Sequence, residues 1–304
     1  MSISPYRIVL SGGFGSVTIA SDRQAAEASS GLRVDWDSGG VAGWDSAPDA
    51  KVSSTERQAG DGAHDVSESD IEYESRVVTV NIAAFGETRD EVLAAMRRLQ
   101  AAHKQLVTMR VVDASSDTYC ERGYVVVKWD KEWHEQTATG TLTATFVRPY
   151  RLSTLPSEGM MVPATGDGGG LVFDAVTSGS DTAHVLHWPL SFGAGAIRTG
   201  NSCTIYNSGT IPADITINAS GYMPGGIAVT DTSTGRQLAY GQTVTWSGLT
   251  LDSRTRTASV AGVDVSRSLT SRDFPTVPAG GSVTLSLQAS GTGTLTATCH
   301  DTYI

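Results

Sequence analysis

The sequence is short of basic residues and of paired cysteines, and each shortage disfavours a class of protein. Lys and Arg number 22 against 32 Asp and Glu in 304 residues, and the net charge of -10 argues against a nucleic-acid-binding surface, which needs clustered cations. The three cysteines, Cys120, Cys203 and Cys299, are widely spaced and form no CxxC pair. We therefore expect no disulfide framework, no zinc or redox site, and a reducing compartment.

Long apolar runs and catalytic motifs are also missing. The opening MSISPYRIVLSGG is too short in apolar residues for a signal peptide, and no run approaches the roughly 20 residues of a membrane helix, so we expect no membrane insertion. The nucleophile elbow, the HExxH pattern, the P-loop and the EF-hand loop do not occur. We predict a protein that is not an enzyme, with no cofactor and no catalytic, cofactor-binding or metal-binding residues.

Composition divides the chain in two. Lysine and glutamate are absent from residues 171–304, where Ser and Thr are abundant instead. The preceding stretch LPSEGMMVPATGDGGG (155–170) is rich in Gly and Pro and has no periodicity, as is typical of a linker. We predict an N-terminal domain over 1–155, a linker over 156–170 and a C-terminal domain over 171–304.

The N-terminal domain contains one predicted helix among strands. In TRDEVLAAMRRLQAAH, Thr88 and Glu91 have the spacing of a capping box, and Val92, Met96 and Leu99 share one face. The strand candidates are RIVLSG (7–12), SGLRVDWD (30–37), SRVVTVNIAAFG (75–86), LVTMRVVD (106–113), ERGYVVVKWDKEW (121–133) and GTLTATFVRP (140–149). We expect an α+β, sandwich-like domain with one helix.

In the fifth of these strand candidates the side chains alternate between two faces. Val125, Trp129 and Trp133 fall on one face of the pleat, and Tyr124 and Val126 on the other.

The C-terminal domain has no helical pattern. Alternating apolar and polar residues predict strands in ADITINAS, GGIAVTD, QTVTWSG, GSVTLSLQAS and GTLTATCHD, with turn residues about every 8–12 positions. This spacing is typical of a β-sandwich, and we expect a jelly-roll or lectin-like one. The whole chain is therefore predicted to be mainly β.

Candidate ligand groups favour ordinary roles. His184 and His187 in SDTAHVLHW would point to opposite faces of a strand because they are three residues apart, which suits surface histidines better than a metal site. The aspartates at 35, 37 and 45 lie in Gly-rich stretches, where turns are commoner than calcium sites. Trp188, Tyr222 and Trp246 remain open, since aromatic rings serve either core packing or stacking on sugars.

The order of several short motifs points to a known family. The stretch SGLRVDWDSGGVAGWDSAPDAKVSSTERQAGDGAHD (30–65), then SRVVTVNIAAFG, the helix and LVTMRVVD, resembles the N-terminal region of the distal tail proteins (Dit) of long-tailed phages. In that family a Gly-Trp-Asp-like segment and a Gly-Asp-Gly-like turn precede an arginine-containing strand and the helix. The C-terminal sandwich of phage tail proteins is resembled by two further stretches, YNSGTIPADITINASG (206–221) and VPAGGSVTLSLQASGTGTLTAT (277–298).

This resemblance implies a structural virion protein of the tail tip or baseplate. It implies a homo-oligomeric ring, typically a hexamer, which joins the tail tube protein to the tail-associated hub protein and the receptor-binding proteins. DNA would pass through the ring without specific binding, and assembly would take place in the host cytoplasm. We expect Trp44, Trp129 and Trp133 as candidate subunit contacts, with Trp44 anchoring a loop that has a polar tip.

A second function from another class stays open. The C-terminal sandwich could act as a glycan-binding tail adhesin that contacts host surface polysaccharide through Trp188, Tyr222 or Trp246.

Overall fold

The fold is mainly β, as predicted. The computed structural model describes residues 6–67, 70–131, 136–163 and 200–304. Within these residues, no helix is long and apolar enough to cross a membrane.

The chain divides into two compact units, Met1–Leu155 with Thr302–Ile304, and Pro156–Asp301. The boundary lies inside a strand, Arg151–Met161, so the first part of the expected linker is regular β-structure rather than a flexible connector. Contacts within the second unit hold residues 156–161 in this strand, since the Ser157 hydroxyl accepts a 3.0 Å hydrogen bond from the backbone N–H of Tyr206. The remainder of the expected linker from residue 164 lies outside the described residues.

The described residues up to 161 form eleven strands, the last of which continues into the second unit. They are β1 (Arg7–Gly12), β2 (Gly15–Ala20), β3 (Leu32–Val34), β4 (Val41–Ala42), β5 (Ala50–Lys51), β6 (Glu72–Tyr73), β7 (Arg76–Phe85), β8 (Val107–Asp113), β9 (Ser116–Lys131), β10 (Thr137–Phe146) and β11 (Arg151–Met161).

Most of these strands form a ladder that closes on itself. The order is β10-β7-β3-β2-β1-β8-β9, and the second half of β9 pairs again with β10. All neighbours in this ladder are antiparallel except β2 and β3. The first unit, which the sequence indicated to be sandwich-like, is therefore closed into a barrel. Its interior is an apolar core to which every strand of the ladder contributes.

A bulge in β9 makes this closure possible. Cys120 lies opposite Met109 and Gly123 opposite Val107, so two residues of β9 face the single residue Thr108 of β8 and β9 carries one additional residue at this point. Within this bulge, Arg122 has a φ of +56°. A Cβ on Gly123 would lie 2.4 Å from the ring of Phe146, so glycine lets β9 bend across that ring as it changes partner from β8 to β10.

The predicted helix is confirmed as α2 (Arg89–Gln100). Thr88 and Glu91 form both hydrogen bonds of the capping box, and Val92, Met96 and Leu99 are buried against the barrel. The helix packs on β7 and β10.

The prediction of a single helix is wrong, because a second one, α1 (Arg23–Glu27), follows β2. Its N-terminus is capped by the Asp22 carboxylate, which accepts a 2.8 Å hydrogen bond from the backbone of Ala25. Five residues are too few to produce a helical apolar pattern, and only Ala26 is buried.

The second unit is a sandwich, as predicted. Its further strands are β12 (Ser202–Asn207), β13 (Ala213–Tyr222), β14 (Ile227–Asp231), β15 (Gln237–Tyr240), β16 (Leu249–Asp252), β17 (Thr257–Val260), β18 (Val263–Asp264), β19 (Leu269–Arg272), β20 (Thr276–Val277), β21 (Gly281–Ala289) and β22 (Thr292–Tyr303). One sheet runs β12-β21-β14-β15-β19, and β22-β13-β16-β17-β18 belong to the other, with β20 paired to β13. Both contribute apolar side chains to one core, for example Leu285 from the first and Leu251 from the second.

One predicted strand of this unit is wrong. In QTVTWSG, only Val244 makes an isolated bridge, to Met223, and Trp246 lies in the turn that follows. The backbone N–H of Gly248 closes that turn by donating a 3.0 Å hydrogen bond to the carbonyl of Thr245. The segment after Val244 is therefore a turn and not the strand that the alternating pattern predicted.

Candidate assembly surfaces

A buried arginine holds the segment between β4 and β5 in place. The side chain of Arg76, at the start of β7, is 1% exposed. Its Nη1 donates hydrogen bonds of 2.7–2.8 Å to the carbonyl oxygens of Gly43, Trp44 and Ser46, and its Nε donates one of 2.6 Å to the carbonyl of Pro149. Burial lowers the pKa of Arg76, since the charged form loses its hydration. The four carbonyl oxygens supply the compensating negative dipoles.

The residues that carry these carbonyl groups also fix the local backbone conformation. Gly43 has a φ of +85°, and a Cβ there would lie 2.1 Å from the carbonyl oxygen of Val77. Trp44 is 4% exposed and belongs to the barrel core. Asp45 forms an ion pair of 2.5 Å with Arg151. The segment is therefore fixed by core packing, by Arg76 and by this ion pair.

Beyond this anchor the chain extends as an exposed hairpin, here called the arm (residues 49–67 and 70–75). β5 and β6 form a short two-stranded ladder at its base, and Glu56 and Ala63 form an isolated bridge farther out. None of its described residues is buried. The prediction of a connecting loop with Trp44 as its anchor and a polar tip describes this segment well.

A second exposed surface lies on the outside of the barrel and is here called the β9 face. Arg122, Tyr124, Val126 and Lys128 project outward along β9 and are all exposed. Thr145 on β10 is paired with both Tyr124 of β9 and Val77 of β7, so the three lie in one row across the sheet. Tyr124 and Val77 are each 50% exposed and Val126 is 44% exposed. The surface is thus apolar at its centre and cationic at both ends of its β9 row, with Asp130 beyond Lys128.

Trp44, one of the three predicted subunit contacts, lies in the barrel core. Its burial in the barrel core leaves almost no surface for another subunit. Trp129 is half-buried and packs against the same core, as the predicted alternation of β9 requires. Trp133 lies outside the described residues. The exposed row of Tyr124 and Val126, on the opposite side of β9, was not singled out from the sequence.

Two of the three aromatic residues considered for glycans are exposed. Trp246 is 77% exposed and Tyr222 is 53% exposed. They flank the bridge in which Met223 and Val244 exchange two backbone hydrogen bonds of 3.0 Å, so the topology brings them to the same end of the second unit. Trp188 lies outside the described residues.

The described residues contain no group of three or more His, Cys, Asp or Glu side chains placed to hold a metal ion. Asp35 instead accepts a 2.7 Å hydrogen bond from the hydroxyl of Ser38 in a turn. His184 and His187 lie outside the described residues.

A cleft of about 380 Å³ between α1 and α2 has three acidic side chains, Glu27, Glu87 and Glu91, and one basic side chain, Arg98, among its lining residues. One of them, Glu91, caps α2, and Arg98 donates a 3.0 Å hydrogen bond to the carbonyl of Ser30. Glu91 and Arg98 therefore already take part in hydrogen bonds that stabilise α2 and its surroundings.

Burial also suppresses thiol chemistry. It raises the pKa of Cys120 and of Cys299 to about 12 and that of Cys203 to about 11. A thiolate is the nucleophilic form of cysteine, so these thiols are inert near neutral pH.

Comparison with known proteins identifies the fold. No family model matches the chain, and no curated protein matches it in sequence. Solved structures from phage tails match it along nearly its whole length, so the chain has the fold of tail hub and baseplate proteins. One is the Dit protein (gp 19.1) of phage SPP1, described as a paradigm of the hub adsorption apparatus of phages that infect Gram-positive hosts.

The SPP1 Dit protein is 12% identical to this chain with a TM-score of 0.56, and the match covers 98% of this chain and 99% of that one. A chain of the phage P2 baseplate in its activated conformation with Ca is 8% identical, with a TM-score of 0.55 and 98% of each chain covered. The same baseplate with Sr gives 9% identity and a TM-score of 0.52, covering 96% and 97%. The resemblance to the distal tail proteins is thereby confirmed at the level of the fold.

Proposed function

We propose that this chain is a structural protein of the distal end of a phage tail. The observation that carries the proposal is the shared fold with the SPP1 Dit protein, which extends over both units of the chain. A match confined to one sandwich would say little, since sandwiches serve many functions. A barrel with an exposed arm, followed by a sandwich, is a far more specific combination.

On this proposal, copies of the chain assemble into a six-membered ring that leaves a channel for DNA. The ring connects the tail tube protein to the tail-associated hub protein and the receptor-binding proteins. The net charge of -10 supports a conduit, because an acidic ring repels phosphate and offers no clustered cations to retain it. The protein is then assembled in the host cytoplasm, is not inserted in a membrane and catalyses no reaction.

Electron microscopy of the purified full-length protein tests this proposal. Class averages should show rings with a central opening, and light scattering should give a mass of six copies. Protein that stays monomeric at every concentration, and also in the presence of the neighbouring tail proteins, would rule out the ring.

Glycan binding by the second unit is the alternative function, and the exposure of Trp246 and Tyr222 at one end of the sandwich favours it. Exposed aromatic rings stack on the apolar faces of sugars. The full-length protein should then be pulled down by purified host cell walls, and Trp246→Ala should abolish this. Tyr206→Ala is the matched control, since Tyr206 is a 59% exposed aromatic residue on β12 in the other sheet. Equal loss in both variants, or no binding by the wild type, would exclude the alternative.

A further inference from the structure

We propose that the arm of one copy packs on the β9 face of a neighbouring copy. This inference rests on the proposed ring and specifies a contact within it. Four properties of the molecule support the contact: the lack of internal support for the arm, its charge, the matching chemistry of the β9 face, and the closure of the barrel.

The arm cannot be stabilised by its own contacts. A two-stranded hairpin is at best marginally stable in water unless it packs against something, and the described residues of the arm bury no side chain. Its base, however, is fixed by Arg76 and by the buried Trp44. A segment that is held at its base and has no core of its own gains stability by packing on a surface outside itself.

The arm is acidic with a few apolar side chains. Its described residues include seven carboxylates and two cations. The apolar side chains of Val52, Val66 and Ile71 are exposed, at 41%, 39% and 44%. A matching surface would therefore be apolar in the middle and positively charged around it.

The β9 face has this composition. Tyr124 and Val126 lie between Arg122 and Lys128 along β9, and neither cation takes part in an ion pair among the described residues. Val77 on β7 adds a third exposed apolar side chain to this row, on the far side of Thr145 of β10. The two surfaces are thus complementary in charge and both supply apolar area.

Because the barrel is closed, a contact with another copy is expected to use the outer surface of its sheet rather than a strand edge. Because the ladder of the first unit closes through β9 and β10, it offers few free strand edges to another copy. The arm is long enough to reach a neighbour, since about ten residues of extended chain from Lys51 span roughly 30 Å, the width of a small domain. A second copy is therefore the occupant that both surfaces fit.

Hydroxyl-radical footprinting of the full-length protein, with and without assembly, tests the contact directly. Oxidation of Tyr124 should fall several-fold on assembly, while oxidation of Tyr222, in the second unit, should not change. In a variant whose residues 53–67 are replaced by a short Gly-Ser turn, Tyr124 should remain as reactive as in the monomer. Trypsin cleavage after Arg57, in the arm, should likewise slow down on assembly of the wild type.

Charge reversal provides an independent measurement. Lys128→Glu should weaken association by about tenfold in sedimentation, because it places like charges across the contact. Lys104→Glu is the matched control, as this exposed lysine lies outside the β9 face, and it should leave association unchanged.

The outcomes separate this contact from the ring itself. Rings in which Tyr124 stays fully reactive, or is protected equally without the arm, would overturn the contact and leave the proposed ring intact. If Lys128→Glu forms rings of unchanged stability, the contact is likewise overturned and the proposed ring is left intact. If the wild type forms no rings even with its tail partners, the ring proposal fails and the contact fails with it.

Discussion

Replacing Arg76 by methionine tests how the arm is anchored. Methionine has a similar length and no donor, so the carbonyl oxygens of Gly43, Trp44, Ser46 and Pro149 would lose these hydrogen bonds inside the protein. A hydrogen bond from a charged group contributes about 1.5–3 kcal/mol, but four bonds from one guanidinium do not add. The cost of burying the charge, which lowers the pKa of Arg76, offsets part of the gain.

We therefore expect Arg76→Met to lower the free energy of unfolding of the first unit by about 3–5 kcal/mol, because each buried carbonyl left without a donor costs about 1–3 kcal/mol and the four losses do not add fully. For a domain of this size that corresponds to a decrease of roughly 10 °C in its Tm. Arg76→Lys should fall in between, since one ammonium group cannot reach both Pro149 and the carbonyls of residues 43–46.

Scanning calorimetry on the full-length protein measures this effect. Arg57→Met is the control, because Arg57 makes only a 3.5 Å pair with the fully exposed Asp65 and should change stability by less than about 0.5 kcal/mol. A decrease of less than about 3 °C for Arg76→Met would refute the reasoning, since it would mean that the carbonyl network adds nothing beyond the packing of Trp44.

Three further results are expected. Gly123→Ala should destabilise the barrel by about 1–3 kcal/mol in thermal melts followed by circular dichroism, because its Cβ would lie 2.4 Å from the ring of Phe146; an unchanged Tm would contradict the tight crossing of β9. The folded thiol of Cys120 should resist iodoacetamide near pH 8 and react only after unfolding. Its pKa of about 12 lies above the usual 9.0, so its contribution to stability is complete below pH 9 and is lost as the pH rises toward 12; rapid labelling of the native protein would count against this. Fluorescence polarisation with duplex DNA should stay flat at physiological salt, and saturable micromolar binding would contradict the charge argument.

Elements defined by local signals were predictable from the sequence. The capping box of α2 and its apolar face involve residues within three turns of one another, and β1 needs only six alternating residues. The QTVTWSG prediction was wrong because alternation alone cannot distinguish a strand from a bridge followed by a turn. The helix α1 was missed because its main local signal is the cap at Asp22.

The candidate surfaces were harder to predict, since they depend on contacts between distant parts of the chain. The resemblance included an arginine-containing strand, but nothing local marks Arg76 as buried: its acceptors come from residues 43–46 and from Pro149. Similarly, the alternation of β9 correctly separated Trp129 from Tyr124, but it did not show which side faces solvent. That follows only from the closure of the barrel.

The anchor of the arm uses main-chain acceptors alone, and this has a consequence for how the protein can change. Every amino acid carries a carbonyl group, so Arg76 places no demand on the side chains of residues 45 and 46, and none on anything farther out. Gly43 is constrained by its φ, Trp44 by its packing and Asp45 by its ion pair with Arg151. The hairpin beyond them can therefore be lengthened, shortened or exchanged without cost to the barrel, which makes it a suitable position for grafting foreign peptides onto the protein.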